Sequence, residues 1–575
     1  MRSTLTDKPE LEVESFDGLL ATLLRDQQDL TAVERFAEWH DQTRIALDDE
    51  TTQVPPPIAN QYVSLMPATS PSQGQQYAFE VDLDACSGCK ACVIACHNLN
   101  GLESSETWRK VGLLTSHNSD LPIVQHVTTA CHHCVDPGCL SGCPVKAYDK
   151  DPLTGIVRHL DDQCFGCKYC TMMCPYEVPQ YSVTLGIVRK CDMCSQRLNF
   201  GEAPACVQAC PNEAIRITLV QSLDLRKGIE SATTSLLETA PPSHITVPST
   251  VYVSKRKLSS VDLVSHEAIV DQPHEGHWPL VAMLVLTQAS VGMWCTLCLW
   301  QLTSNELPNN IAWIATSAAA LGIIGVHFAL AHLGRPWLAF RAFLGWRTSW
   351  LSREAIVFGF YMASGGGAAI AFSARSMTKT SEDSLVEEIL VGLSSYDAYL
   401  AGSTAFIGLL AVACSGMIYV ATHRSLWNWY RTGIEFSATT FGLGLAICYS
   451  IGRTPESFWM LPIGVIIAGA GLVAKLHDQW RSHQRGRWSS REWKDFSARS
   501  GRLLNSDLFL PWWVACSSWF AALALSSLLC SGLCPSALDI AATWITLTLL
   551  AVSQIINRWL YFASIVTYRM PGAST

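Results

Sequence analysis

Charge is scarce in this sequence. Only 15% of its 575 residues are Asp, Glu, Lys or Arg, against about 25% in ordinary soluble domains. The apolar fraction is 49%, a balance that excludes a disordered chain and argues against a wholly soluble one. A positive excess is also missing: 40 Lys and Arg against 49 Asp and Glu leave a formal net charge of −9, which gives no case for a nucleic-acid partner. The first 77 residues hold no twin arginine and no apolar core of the signal-peptide kind, so they are not expected to export the N-terminus. Long apolar runs begin only at Trp278.

What is present is distributed unevenly. Of 23 Cys, 16 lie between Cys86 and Cys210, and 18 of the 20 Trp follow residue 275. At about 100–200 residues per domain, the length suggests three or four. Residues 1–77 form an acidic extension with 5 basic and 13 acidic residues. Leu19, Leu20, Leu23 and Leu24, then Val33, Phe36 and Ala37, have the spacing of two short amphipathic helices; a surface appendage and a docking segment both remain open. Pro55-Pro56-Pro57 and the polar stretch 70–76 read as a linker. Residues 78–220 form a cysteine-threaded α+β domain, residues 221–275 a second linker that leaves the pose of the two halves unfixed, and residues 276–575 a membrane bundle.

Eight apolar spans are predicted, near 278–300, 311–333, 354–374, 396–421, 434–452, 458–474, 510–531 and 540–566; most reach the roughly 20 residues a bilayer requires, the fifth and sixth falling short. Many Trp sit near span ends, as interfacial belts require. Between spans, one side carries Arg335, Arg341, Arg347, Arg353, Arg424, Arg431, Lys475, Arg481, Arg485, Arg487, Arg491, Lys494, Arg499 and Arg502, and the other only Arg375, Lys379 and Arg453. By the positive-inside rule this bias puts the cysteine domain at the cytoplasmic face of the inner membrane. An acidic partner drawn to those arginines is the rival explanation.

The cysteines fall into four groups. The first is Cys86, Cys89, Cys92 and Cys96; the second Cys131, Cys134, Cys139 and Cys143; the third Cys164, Cys167, Cys170 and Cys174; the fourth Cys191, Cys194, Cys206 and Cys210. Sixteen thiolates match the ligand count of four [4Fe–4S] clusters. A C-x2-C-x2-C run wraps three sulfurs around one cluster, and the fourth Cys points to a neighbour. Zinc rarely uses such runs, and a disulfide framework fits tight spacings of this kind poorly. The seven later cysteines, Cys295 and Cys298 among them, read as small buried hydrophobes. Gly469-x-Gly471-x-x-Ala474 lies inside an apolar span without the strand a dinucleotide site needs, and is discarded.

With these motifs in view, residues 78–220 resemble the four-cluster iron–sulfur subunit of membrane-bound molybdopterin oxidoreductases of the dimethyl sulfoxide reductase type. The matching stretches are Cys86–Cys96, CHHCVDPGCLSGCP, GIVRHLDDQCFGCKYCTMMCPYEVP and KCDMC with ACVQACPNEAI. Residues 278–575 are similar to that family's eight-span quinone-binding anchor, through HWPLVAMLVLTQ, HLGRPWLAFRAF, TSWLSRE and MIYVATHRSLW. The family keeps these as separate chains, so their fusion and the acidic extension are departures. The resemblance implies a bacterial-ferredoxin-like four-cluster domain followed by an all-α bundle of eight transmembrane helices. It also implies four ligand sets: Cys86, Cys89, Cys92 with Cys210; Cys191, Cys194, Cys206 with Cys96; Cys131, Cys134, Cys139 with Cys174; and Cys164, Cys167, Cys170 with Cys143.

The family's quinol-site residues carry over to His332 and Glu354. The residues support this independently, since the end of span two and the start of span three both sit at the face bearing the cysteines, and ionisable groups there suit proton exchange. A structural reading has Glu354 capping a helix and His332 bonding a carbonyl. The histidines His327, His332, His423 and His477 form no obvious facing pair, so no haem is expected. No segment is long enough for a molybdopterin domain, so substrate chemistry is assigned to a partner subunit. The expected role is an electron-transfer and membrane-anchor subunit exchanging electrons with menaquinone or ubiquinone, with sulfite oxidation ahead of reduction of dimethyl sulfoxide or a similar acceptor. A hydrogenase conduit and a non-redox transporter are the remaining alternatives. Quinone protons exchanged at the face of the substrate chemistry make turnover electroneutral.

Overall fold

The computed structural model describes residues 62–572 apart from 117–122, 230–234, 238, 257–262, 266–270, 304–307, 378–387, 389–390, 393, 455–456, 485–493 and 533–537. The two N-terminal helices expected near Leu19 and Val33 lie outside the described residues, as do Lys379, Arg485, Arg487, Arg491 and Cys534. The chain divides into two compact units, Met1–Met66 and Pro67–Thr575. In the first, a 3-10 turn at Val63–Leu65 is described.

The second unit begins with the cysteine domain. Strand β1 (Gln75–Asp82) pairs antiparallel with β8 (Ile215–Gln221) from Gln75↔Gln221 to Val81↔Ile215, so the first and last strands of the predicted domain close on each other. A second sheet holds β2 (Lys110–Ser116) and β3 (Val124–Thr129). Two three-residue ribbons follow, β4 (Tyr148–Lys150) with β5 (Val157–His159), and β6 (Gln180–Ser182) with β7 (Ile187–Arg189). Short helices carry or precede the cysteines: α1 (Ala91–Leu99), α2 (Gly138–Gly142), α3 (Tyr169–Met173), α4 (Ser195–Asn199) and α5 (Ala205–Gln208), with α6 (Ser222–Gly228) after β8.

Residues 221–275 are not a free tether. Strand β9 (Val251–Val253) joins β1 in parallel, and β10 (Leu263–Ser265) joins β2 antiparallel. Strands this short show no period of two, and their pairing is supplied by the neighbouring sheet edges rather than by local pattern.

Among the described residues, eight helices are long and apolar enough to cross a membrane. They are α7 (Trp278–Thr303), α8 (Ile311–Phe328, continued by a 3-10 turn to His332), α9 (Trp350–Met377), α10 (Asp397–Val420), α11 (Trp429–Gly452), α12 (Met460–Gln484), α14 (Phe509–Cys530) and α15 (Asp539–Ala563). A short amphipathic helix, α13 (Phe496–Asn505), lies between α12 and α14. Helices α7 and α11 cross so closely that a Cβ at Gly292 would stand 1.8 Å from the Thr440 carbonyl oxygen, the close approach that small residues permit in lipid.

Spans five and six are full length, at 24 and 25 residues, rather than short. Arg431 and Glu435 at the start of α11, and Lys475 and Asp478 at the end of α12, interrupt the apolar run. Glu435, Lys475 and Asp478 are nevertheless buried and Arg431 half-buried, and they pair with each other, Arg431 Nη2 to Asp478 at 2.6 Å and Lys475 Nζ to Glu435 at 3.0 Å. Burial of paired charges hides helix from a hydropathy window.

The two halves are locked together. Gly345 N donates to the Pro144 carbonyl (2.7 Å), Arg335 N to that of Phe165 (3.0 Å), Ser349 Oγ to that of Gly142 (2.7 Å) and Tyr169 OH to that of Ile418 (3.0 Å). The C-terminal segment returns to the cysteine domain, where a Cβ at Gly112 would stand 1.9 Å from Gly572 N.

Candidate functional site

The C-x2-C-x2-C loops turn through left-handed backbone at matching positions. Gly88 and Lys90 in the first group have φ of 74° and 62°, and Gly166 and Lys168 in the third have 73° and 59°. Lys90 and Lys168 then cap α1 and α3, so the third cysteine, Cys92 or Cys170, starts a helix. Cys96 lies one turn after Cys92 on α1, and Cys174 caps the end of α3. Glycine is needed at Gly166, where the backbone already touches Gly186 and Gly334: a Cβ would stand 2.3 Å from the Gly186 oxygen.

The fourth thiol of each group lies among the thiols of another group. Cys86 and Cys92 have Cys210 as a charged neighbour; Cys194 has Cys206 and Cys96. Cys134 has Cys131, Cys174 and Cys139, and Cys170 has Cys167, Cys143 and Cys164. No disulfide joins the described cysteines. Among the described residues no three His, Cys, Asp or Glu side chains converge as ligands of a single ion would.

Burial raises several of these thiols. It pushes Cys96 and Cys194 up to about 12 and Cys174 to about 11. Cys164 goes the other way: burial raises it, but the hydrogen bond and charge of His159 outweigh that and leave it below the ordinary thiol value. Backbone N–H groups stand ready to support sulfur charge, from Ala147 to Cys143 (3.2 Å), Ala214 to Cys210 (3.3 Å), Gly166 to Cys164 (3.4 Å) and Met193 to Cys191 (3.4 Å).

Two buried cations sit between the sets. Arg109, 2% exposed, faces Cys206, Cys92, Cys191 and Cys96 and bonds the Thr128 hydroxyl at 3.2 Å, while its Nη2 has no partner. Lys190 reaches Cys131 Sγ at 3.6 Å and the carbonyls of Val157 and Cys191, with Cys139 also nearby. Among the described residues neither cation has a carboxylate at ion-pair distance. Unbridged soft thiols in fours beside uncompensated buried cations fit an anionic metal–sulfur group. Sequence reasoning missed both cations; Lys190 adjoins Cys191, but nothing local marks Arg109.

His332 and Glu354 both lie at the end of the bundle that touches the third cysteine group. His332 has His277 and Lys168 as ionisable neighbours, and its Nδ1 is buried without a partner. Glu354, 6% exposed, accepts a hydrogen bond from Ser415 Oγ. Tyr169 has Glu354 and Cys167 as ionisable neighbours. No hydrogen bond or ion pair joins His332 to Glu354 directly; each approaches the thiols through a different residue of the Lys168-Tyr169 pair. Beside them, between the cysteine domain and the bundle, is a cavity of about 350 Å³ lined by Met172, Glu177, His274, His277, Arg424 and Arg569 among others.

Residues 123–219 match the 4Fe-4S dicluster domain, and residues 274–476 match the DMSO reductase anchor subunit (DmsC). An anaerobic dimethyl sulfoxide reductase subunit of Haemophilus influenzae is 33% identical over 186 residues, 31% of this chain and 88% of that one. The probable anaerobic dimethyl sulfoxide reductase chain YnfG of Escherichia coli K12 is 34% identical over 184 residues, 31% of this chain and 87% of its own. Hydrogenase-2 operon protein HybA of Escherichia coli O157:H7 is 37% identical over 160 residues, 23% of this chain and 49% of its own, so the present sequence spans about half of that relative. With its thiol sets and eight apolar helices, the protein belongs to the iron–sulfur subunit family of dimethyl sulfoxide reductase-type oxidoreductases, fused to a DmsC-type membrane anchor.

Proposed function

We propose that this protein is the electron-transfer and membrane-anchor subunit of a molybdopterin oxidoreductase and connects a catalytic partner subunit to the membrane quinone pool. The observation that carries the reading is the interleaving of the thiols: the charged-neighbour pattern favours Cys86, Cys89, Cys92 with Cys210; Cys191, Cys194, Cys206 with Cys96; Cys131, Cys134, Cys139 with Cys174; and Cys164, Cys167, Cys170 with Cys143. Each set would hold one [4Fe–4S] cluster, and the four clusters supply one-electron transfer when bound.

The protein's own residues do the rest. The thiols give up protons on loading, Arg109 and Lys190 offset the resulting charge, and the sulfur-directed N–H groups favour the more negative form. The set containing Cys167 and Cys170 adjoins the bundle, where His332 and Glu354 bind a quinone or quinol and exchange its protons. Residues 78–220 and 276–575 act as the electron-carrying and lipid-facing bodies, and the arginine bias supports an inner-membrane location with the cysteine domain at the cytoplasmic face. Substrate and quinone protons then exchange on one side, and turnover is electroneutral.

Sulfite is the substrate this orientation favours, with electrons entering menaquinone or ubiquinone. Quinol-driven reduction of dimethyl sulfoxide or a similar acceptor is the second reading, supported by the names of the dimethyl sulfoxide reductase relatives; the HybA match supports a hydrogenase-linked conduit less strongly because it covers half of that protein. Purification with the native catalytic subunit tests these. A molybdopterin subunit and cluster reduction by sulfite are expected; cluster oxidation by dimethyl sulfoxide with no response to sulfite reverses the direction, and a nickel enzyme in place of the molybdopterin subunit overturns the reading.

A further inference from the structure

His332 has an unpartnered, buried Nδ1 and two ionisable neighbours, His277 and Lys168. His277 in turn has Lys168 and Glu275 as its charged neighbours. Glu275, Gln272 and Pro273 are exposed and belong to the lining of the cavity of about 350 Å³ that His277 and His274 also line. At roughly 30 Å³ per molecule, such a volume holds on the order of ten waters. The turn that ends in His332 packs against α7, which His277 immediately precedes, and His277 and Glu275 both line the cavity, so a buried imidazole, a second imidazole, a carboxylate and a cavity follow one another. His277 precedes the first span, so the path opens at the membrane surface on the cysteine-domain side.

We infer that His277, Glu275 and this cavity form the proton path between the quinone site and solvent. The inference rests on the assignment of His332 to that site. Oxidation of a quinol breaks two O–H bonds. The two electrons would go one at a time to a cluster held by Cys164, Cys167, Cys170 and Cys143, and the two protons must leave as well. Each proton moves in turn to His332 Nδ1, to His277, then to Glu275 or cavity water and out, His332 returning to neutral between the two. Quinone reduction runs the same steps backwards.

Lys168 makes the path a conductor rather than a store. Its ammonium lies near His277 and disfavours a proton resting there. Burial, reinforced by Lys168, holds His277 below the ordinary histidine value against the pull of Glu275. A neutral imidazole can accept on one nitrogen and donate from the other. His277 acts through His332, as a positioning residue for the proton, and does not itself touch the quinone.

The test uses the full complex, mixed in stopped flow with 2,3-dimethyl-1,4-naphthoquinol. Proton release is read with an indicator dye and cluster reduction by absorbance, while occupancy of the quinone site is read from the fluorescence of bound 2-heptyl-4-hydroxyquinoline N-oxide. His277→Phe is expected to slow proton release roughly a hundredfold, with added imidazole restoring part of the rate and N-oxide affinity within about twofold of the parent. Glu275→Gln, at an exposed position that carries little folding risk, is expected to slow release by a factor of about three and to enlarge the solvent deuterium effect. Wild-type release in His277→Phe with N-oxide binding retained overturns the path. If His277→Phe also loses N-oxide binding, Glu275→Gln decides, and unchanged release there overturns it. A parent complex that binds no N-oxide, or a His332→Gln variant that binds it normally, overturns the quinone assignment itself, a result distinct from failure of the path.

Discussion

The cysteine domain and the membrane bundle both bury charge, but they balance it differently. In the bundle each cation of the α11–α12 pair meets a carboxylate: Arg431 with Asp478, Lys475 with Glu435. In the cysteine domain Arg109 and Lys190 meet thiols, hydroxyls and carbonyls, with no carboxylate at ion-pair distance among the described residues. The α11–α12 pair is therefore electrostatically self-sufficient, within a bundle that also holds Arg558 against the Gln288 amide, the Glu435 carbonyl and the Thr439 hydroxyl, whereas the cysteine domain is balanced only when it holds something anionic. Stability in the first region is a property of the polypeptide, and in the second a property of the loaded protein.

The largest effect should come from removing a thiol. Cys170→Ala is expected to deplete one cluster and abolish quinone-linked turnover while the catalytic partner keeps its activity with soluble dyes; iron analysis and EPR check this. Next, Lys475→Met leaves Glu435 buried without its ammonium and should lower bundle stability by about 3–5 kcal/mol, a loss that Lys475→Met with Glu435→Leu largely restores. Thermal unfolding in detergent measures both. Arg109→Met sharpens the contrast: it should destabilise only the iron-loaded protein and move the reduction potential of the adjacent clusters downward, since a cation is lost beside an anion. A comparable loss in the metal-free protein would break the comparison.

A smaller effect concerns His274 at the junction. Burial lowers it to about 4, with Arg424 and Arg569 acting in the same direction against Glu177. The folded form therefore stays neutral while the unfolded form takes a proton near pH 6.5. Stability is full above that value and falls by about 1.4 kcal/mol per unit as the pH drops toward 4, or about 2 kcal/mol between pH 6.5 and 5. His274→Gln should flatten this part of the profile in thermal scans of the junction. The smallest effect is expected at Arg158 and Asp149, a 2.8 Å pair with both side chains nearly half exposed; Arg158→Ala should change stability by less than about 1 kcal/mol.

Much of this architecture is legible in the residues because two signals are local. A thiol every three residues needs no tertiary context, and a run of twenty apolar residues announces its own solvent. What was not legible depends on distant partners. Arg431, Glu435, Lys475 and Asp478 made two spans look short because each is charged alone and acceptable in lipid only as a pair. Val251–Val253 and Leu263–Ser265 looked like linker because three residues become a strand only beside an existing edge. The pose of the two halves was hidden for the same reason, since Gly345–Pro144 and Tyr169–Ile418 are bonds between residues far apart in the sequence. His332 and Glu354 were singled out through resemblance and position, whereas His277 opens the HWPLVAMLVLTQ stretch and was read there only as part of the anchor's likeness.

The central claim is that sixteen interleaved cysteines form four cluster sites balanced by Arg109 and Lys190. The most direct measurement is iron and acid-labile sulfide per polypeptide in anaerobically purified protein, with Mössbauer spectra of the same sample. Sixteen irons and sixteen sulfides in [4Fe–4S] form are predicted, four for each set of thiols. Eight irons, or zinc in place of iron at any set, would contradict it.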